Sequence, residues 1–275
     1  MKQYLCEYNK TQNELHKLRD KIGSVELYHV STTTNTAIQR YIYMLKTACL
    51  SYNVNLKLID SVDDTCGAID IIKTLADADG ILCNMPFIFK LGLIIDDLIP
   101  TEKDVGAVKD STIGYYYDIH RCVDIEPIIS NILRSMIDVC KTSTIVPKTL
   151  IIKRHPYQIS AVLKESALFS SMTSTLTLTT NDGINDIDIN DYDVIISEIY
   201  NGDDKVSLNI KDDGKYRYII DMGYTNTGES SMCISPKKRL KNTTIYNYER
   251  VMERYIQLML KNLFTSINNK KERNQ

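Results

Sequence analysis

The stretch GILCNMPFIFKLGLIIDDLIPTEKDVG, residues 80–106, governs the reading of the whole chain. A short apolar run, Ile81-Leu82-Cys83, leads into Asn84-Met85-Pro86-Phe87. A second apolar segment follows, and the charged turn Pro100-Thr101-Glu102-Lys103-Asp104-Val105-Gly106 closes the stretch. Proline has no N–H to give to a sheet ladder, so Pro86 predicts the end of a buried strand where it leaves its sheet. In open α/β sheets ligands bind at that carboxyl end, which makes the segment after Cys83 a candidate binding loop.

Working outward toward the N-terminus, Leu5, Leu15, Leu18 and Ile22 recur at helical spacing ahead of Gly23, which predicts a helix ending near that glycine. Val25-Glu26-Leu27-Tyr28-His29-Val30 alternates and is β-rich, a strand in which His29 reads as a satisfied structural residue rather than a base. Several N-cap candidates in residues 31–36 precede Ile38, Tyr41, Ile42, Leu45, Ala48, Cys49 and Tyr52, spaced three and four apart as on an amphipathic helix. Residues 54–59 form the next strand, and a helix carrying Ala68, Ile69, Ile72 and Leu75 leads back to Gly80. Strand, helix, strand, helix, strand is the order of a parallel sheet with right-handed crossovers.

Working toward the C-terminus, Ile128, Ile129, Ile132, Leu133, Met136 and Ile137 mark an apolar helix opened by Pro127. Strands are expected at residues 149–152, 176–178, 192–197 and 218–223, with a short helix before Leu168. A last helix is expected from Thr244 to about Phe264, packed back on the first domain. The basic end at residues 268–273 reads as a disordered, solvated tail. The fold class is therefore α/β, with two αβ domains of mainly parallel sheets, the second Rossmann-like, and a cleft between them. The first domain comprises residues 1–126 completed by a C-terminal helix at 244–275, and the second residues 127–243.

A chain of 275 residues suits two medium domains. With 43% hydrophobic and 25% charged residues it has the balance of a globular protein in water, and no apolar run approaches the ~20 residues of a bilayer crossing. The net charge of −2 gives no electrostatic reason to expect nucleic acid. Seven cysteines without a CxxC pair or metal-like spacing fit a reducing compartment and no metal site. The start lacks the apolar core of a signal peptide and carries acidic residues, so the expected location is the cytoplasm.

The pieces, taken in order, resemble the bifunctional methylenetetrahydrofolate dehydrogenase/methenyltetrahydrofolate cyclohydrolase family. Tyr41-Ile42 through Ala48-Cys49 to Asn53-Val54 is similar to the family helix YVxxKxKAxxxxGI, residues 80–86 to GILVQLP, and residues 100–106 to PxKDVDG. Ile219-Ile220-Asp221-Met222-Gly223 is similar to VIDVG, while Ser235-Pro236 and Thr244 bracket the place of TPVPGGVGPMT. The resemblance implies that the first domain and the final helix bind folate, the second binds NADP or NAD, and the protein forms a homodimer through the second. It also implies substrate contacts at Tyr41, Asn84, Pro86 and Asp104 and cofactor contacts at Arg154, His155 and Ile159.

The match departs from the family at its chemistry. The catalytic lysine falls on Leu45, with Lys46 adjacent but about 100° round the helix. Asn84 replaces a glutamine, and the second aspartate of the charged turn is absent. The cofactor turn GRSxxVGxP reads KRHPYQIS from Lys153 and has lost both glycines, which makes close approach of backbone to phosphate costly. PGGVGP has become Lys238-Arg239-Leu240-Lys241-Asn242. Arg154 and His155 remain suited to a phosphate, and the basic group at 237–241 to an anion such as a polyglutamate tail. Two classes of function follow: a member of the folate family without cyclohydrolase activity, extending to a non-catalytic folate binder or a partner or scaffold protein that keeps the fold, or an active NAD(P)-dependent dehydrogenase. An unrelated α/β binding protein is a third reading.

Overall fold

The structure, a computed structural model, describes residues 2–30, 36–59, 70, 73, 75, 77–83, 99–107, 127–137, 142, 146–154, 173–202, 205–225, 230–235 and 240–273. The chain divides into two compact units. One is built from Tyr8–Thr34, Ile38–Ile128 and Tyr255–Gln275, the other from Met1–Glu7, Asn35–Ala37 and Ile129–Arg254.

In the first unit β1 (Glu26–Val30), β2 (Asn55–Ile59) and β3 (Gly80–Cys83) form a parallel sheet in the order β2-β1-β3. This is the strand and crossover order expected from the hydrophobic pattern. Helix α1 (Lys2–Arg19) ends short of Gly23. Helix α2 (Thr36–Ser51) buries Ile38, Tyr41, Ile42, Leu45 and Cys49, the stripe its three-and-four spacing requires. It closes in a Schellman turn: Val54 N–H donates to the Cys49 carbonyl at 2.8 Å, Asn53 N–H donates to Leu50 O at 3.1 Å, and Asn53 takes φ 51°. The Arg19 guanidinium donates to the carbonyls of Ile22, Tyr52 and Asn53, tying the ends of the two helices together. The helix expected across residues 63–75 lies largely outside the described residues, as do Tyr115-Tyr116-Tyr117 and the short helix before Leu168.

The second unit follows the apolar helix α3 (Ile128–Met136). Its main sheet joins β4 (Lys148–Lys153), β5 (Thr175–Thr180), β6 (Val194–Glu198), β9 (Arg217–Asp221) and β12 (Thr243–Tyr246), all parallel, in the order β12-β9-β6-β4-β5. β6 and β9 are buried along their whole length and β4 along all but its first residue, so these strands read as continuous apolar runs instead of alternating ones. Two short parallel pairs flank it: β7 (Tyr200–Gly202) with β10 (Tyr224–Thr225), and β8 (Val206–Asn209) with β11 (Met232–Ser235). Leu150, Ile152, Ile195, Ile199, Val206 and Ile219 lie at the heart of its core.

Two expectations are corrected. Thr244 does not open the last helix: Thr243–Tyr246 pair with β9 from Arg217↔Thr243 to Ile220↔Tyr246, and helix α4 begins at Tyr248. The basic end is not a disordered tail, because α4 runs to Arg273 and Asn268 Nδ2 donates to the Leu18 carbonyl at 3.1 Å. The C-terminal half of α4 belongs with the three-stranded unit, where Gln257 Nε2 donates to Tyr8 O at 2.9 Å and Ser266 Oγ to Glu102 O at 2.8 Å.

Candidate functional site

Each sheet has a place where successive crossovers run in opposite directions, and in open α/β sheets ligands settle outside the carboxyl ends of the strands flanking it. In the three-stranded unit that place lies between β1 and β3. In the five-stranded unit it lies between β4 and β6.

His29 stands one residue from the carboxyl end of β1, in register with Leu58 of β2 and Leu82 of β3. It is fully buried, and neither ring nitrogen has a hydrogen-bond partner among the described residues. This overturns its reading as a satisfied structural histidine: its register partners in the sheet are leucines, and its contact on α2 is with an aromatic ring. Burial pushes its pKa down to about 4, so the imidazole is neutral. Its ring centroid lies 5.7 Å from that of Tyr41, and Tyr41 is 6.4 Å from Tyr255 of α4 in an edge-on contact.

Leu45, one turn beyond Tyr41 on the same face of α2, is completely buried, whereas Lys46 points to solvent. The Cys49 thiol, a further turn on, is pushed up to about 12 by burial and is an inert packing group. Asp104 is fully buried and bridges to Ile81 of β3, so the charged turn runs alongside the sheet. Asn262 Nδ2 of α4 holds that turn by donating to Val105 O at 3.2 Å. Its left-handed residue is Ala107, φ 50°, one position beyond Gly106. Tyr41 and His29 are thus brought together, while Asn84 and Pro86 lie outside the described residues.

At the five-stranded sheet, Lys153 ends β4 and Glu198 ends β6, and the two are register partners. Glu198 is fully buried and Lys153 nearly so. Arg154 follows, half-buried, and His155 and Ile159 lie outside the described residues. Next along the sheet, the buried Asp221 carboxylate at the end of β9 accepts from Gly223 N (3.1 Å), Ser231 N (3.0 Å), Ser231 Oγ (2.7 Å) and Ser230 Oγ. Ser231 Oγ also shares a 2.7 Å hydrogen bond with Ser197 Oγ of β6. Burial raises the Asp221 pKa, and these donors pull it back. Glu198 and Ser231 escaped the reading of the sequence. The one signal for Glu198 was a carboxylate ending the apolar run Val194-Ile195-Ile196.

No protein-family model matches the chain, and no curated protein sequence matches it. Solved structures do. The methylenetetrahydrofolate dehydrogenase-cyclohydrolase of Trypanosoma brucei, solved with NADP and an inhibitor, superposes with a TM-score of 0.69 at 14% identity over 96% of each chain. The chain has the methylenetetrahydrofolate dehydrogenase/cyclohydrolase fold. The 5,10-methylenetetrahydrofolate dehydrogenase of the silkworm Bombyx mori superposes at 0.65 with 18% identity, covering 96% of this chain and 97% of its own. The NAD-dependent dehydrogenase of Saccharomyces cerevisiae superposes at 0.64 with 13% identity, covering 100% of this chain and 97% of its own. The resemblance seen in short motifs therefore extends to the fold along nearly the entire chain. Among the described residues no helix is long and apolar enough to cross a membrane.

Proposed function

We propose that the chain is a divergent member of the folate one-carbon family that takes a folate-like ligand at the switch point of its three-stranded unit and lacks cyclohydrolase activity. In this reading residues 1–126 with 244–275 form the folate side, residues 127–243 are the counterpart of the cofactor domain, and Tyr41, Asn84, Pro86 and Asp104 contact the ligand. The observation that carries it is Leu45. The position of the proton-transferring lysine holds a fully buried hydrocarbon, and loss of such a group costs on the order of 10²- to 10⁴-fold.

A dinucleotide fits the described residues of the other unit poorly. Where the family turn has a glycine that lets a phosphate close to the backbone, Lys153 brings a nearly buried side chain, with a fully buried carboxylate beside it at Glu198. We assign no hydride-transfer step to this chain. The alternative, an NAD(P)-dependent methylenetetrahydrofolate dehydrogenase using Arg154, His155 and Ile159 for its cofactor, draws support from the fold shared along the whole chain with the yeast enzyme.

Thermal shift of the full chain with folic acid, NADP and NAD separates these readings, because a ligand at 100 times its Kd stabilises by about 2.7 kcal/mol. The expected result is a shift with folic acid alone and no reduced-cofactor absorbance when methylenetetrahydrofolate and NADP or NAD are supplied. Turnover in that assay would establish the dehydrogenase, and no shift with folic acid at millimolar concentration would remove the folate reading. Leu45→Lys is expected to leave cyclohydrolase activity undetectable, since the supporting glutamine and second aspartate are also missing; a large gain in turnover would contradict this. By the same resemblance the protein is proposed to be a homodimer, which sedimentation of the full chain tests.

A further inference from the structure

We propose that His29 is a ligand-binding residue of the three-stranded unit, its imidazole hydrogen-bonding the heteroaromatic head of the folate-like ligand beside Tyr41. The inference rests on the folate reading above and adds to it a residue that no motif match supplies. Three observations meet at His29. Its two ring nitrogens are buried with no hydrogen-bond partner among the described residues, a state that native proteins rarely keep without a use. It sits at the carboxyl end of the central strand, beside the switch point where ligands of such sheets bind. Its ring makes a tilted contact with that of Tyr41, which in turn meets Tyr255 edge-on, so a polar and an aromatic group are buried together there.

A neutral imidazole has one N–H donor and one lone-pair acceptor. A pterin-type ring, with donors and acceptors alternating along its edge, matches that pair in either tautomer. Both nitrogens are covered in the folded chain, and in this proposal the ligand meets them from the carboxyl end of β1. It then supplies the partner that the folded chain withholds. No charge is required at His29, whose ring contact among the described residues is with Tyr41, and Tyr41 in turn meets Tyr255.

The test compares the full-length wild type with His29→Phe and His29→Gln. Folic acid affinity is measured by calorimetry and the unliganded melting temperature is recorded for each. The expected result is a loss of affinity of about tenfold or more in His29→Phe. The Gln variant, which keeps a donor and an acceptor, should fall between. The unliganded melting temperature of His29→Phe should be no lower than that of the wild type, because an unbonded polar ring has been replaced by an apolar one. A merely structural histidine gives the reverse pattern: a lower melting temperature and unchanged affinity. Wild-type binding that His29→Phe retains in full would overturn the inference and leave the folate reading standing. No binding by the wild type would overturn both. Should the Phe variant fail to fold, the ¹⁵N resonances of the His29 ring in the wild type decide: movement on saturation with folic acid supports the contact, and unmoved resonances overturn it.

Discussion

His29 couples the candidate site to pH. Its folded pKa is about 4 against an ordinary 6.5, so the unfolded chain binds the proton more tightly and stability falls as the solution is acidified between those values. Between pH 7 and pH 5 that linkage amounts to about 2 kcal/mol. His29→Phe should lose that much less over the same interval, as measured by urea unfolding of the two proteins. Gly223 is constrained differently. A Cβ there would lie 2.2 Å from the Ile199 carbonyl oxygen and 2.7 Å from Ser231 Oγ, and a backbone atom cannot yield. Gly223→Ala is therefore expected to cost at least ~3 kcal/mol or to prevent folding, read from the denaturation midpoint or soluble yield.

Among the elements, β9 shows how a strand is fixed at its entrance. The buried Arg217 guanidinium takes Asp213 in a two-pronged pair at 2.8 and 2.6 Å and donates to the carbonyls of Asn190 and Lys211. Arg217 holds the Asp213 carboxyl well below the usual carboxylate range. Asp213 is partly exposed, so the pair's worth is discounted; removing the arginine also takes a donor from each of the two carbonyls, leaving Asn190 O with Lys215 Nζ at 3.2 Å. Arg217→Met is expected to destabilise by about 2–3 kcal/mol and Asp213→Asn by about 1 kcal/mol or less, a ranking that equilibrium unfolding checks.

For the molecule as a whole, α4 matters most to the three-stranded unit. Leu258, Met259, Leu260, Leu263 and Phe264 are buried, and the unit's small sheet depends on that face. Even at the low end of about 1.5–3 kcal/mol per buried side chain, their removal costs about 7 kcal/mol, as much as the whole ~5–15 kcal/mol margin of many domains. Truncation after Arg254 should therefore leave the three-stranded unit unfolded, seen as insoluble protein or lost near-ultraviolet circular dichroism. Removal of residues 270–275, of which 270–273 are exposed, should change the melting temperature little. A soluble, cooperatively melting Arg254 truncation would show that the unit stands without the helix.

The local pattern of residues determined which segments bury themselves and how. The apolar β-branched runs of β4, β6 and β9, the period-three-and-four stripe of α2 and the strand before Pro86 are legible because burial of one face, or of both, imposes its own period on neighbouring residues. So is the fold, through a series of short motifs in order. What only the tertiary structure decided depends on partners distant in the chain. Thr243–Tyr246 is a strand because β9 offers it a free edge, and residues 268–273 are helical because Asn268 finds the Leu18 carbonyl. Lys153 meets Glu198 through sheet register. His29 is left without a hydrogen-bond partner among the described residues for the same kind of reason: sequence placed a histidine in a strand, and only the packing of leucines and Tyr41 around it decided that neither nitrogen would be satisfied.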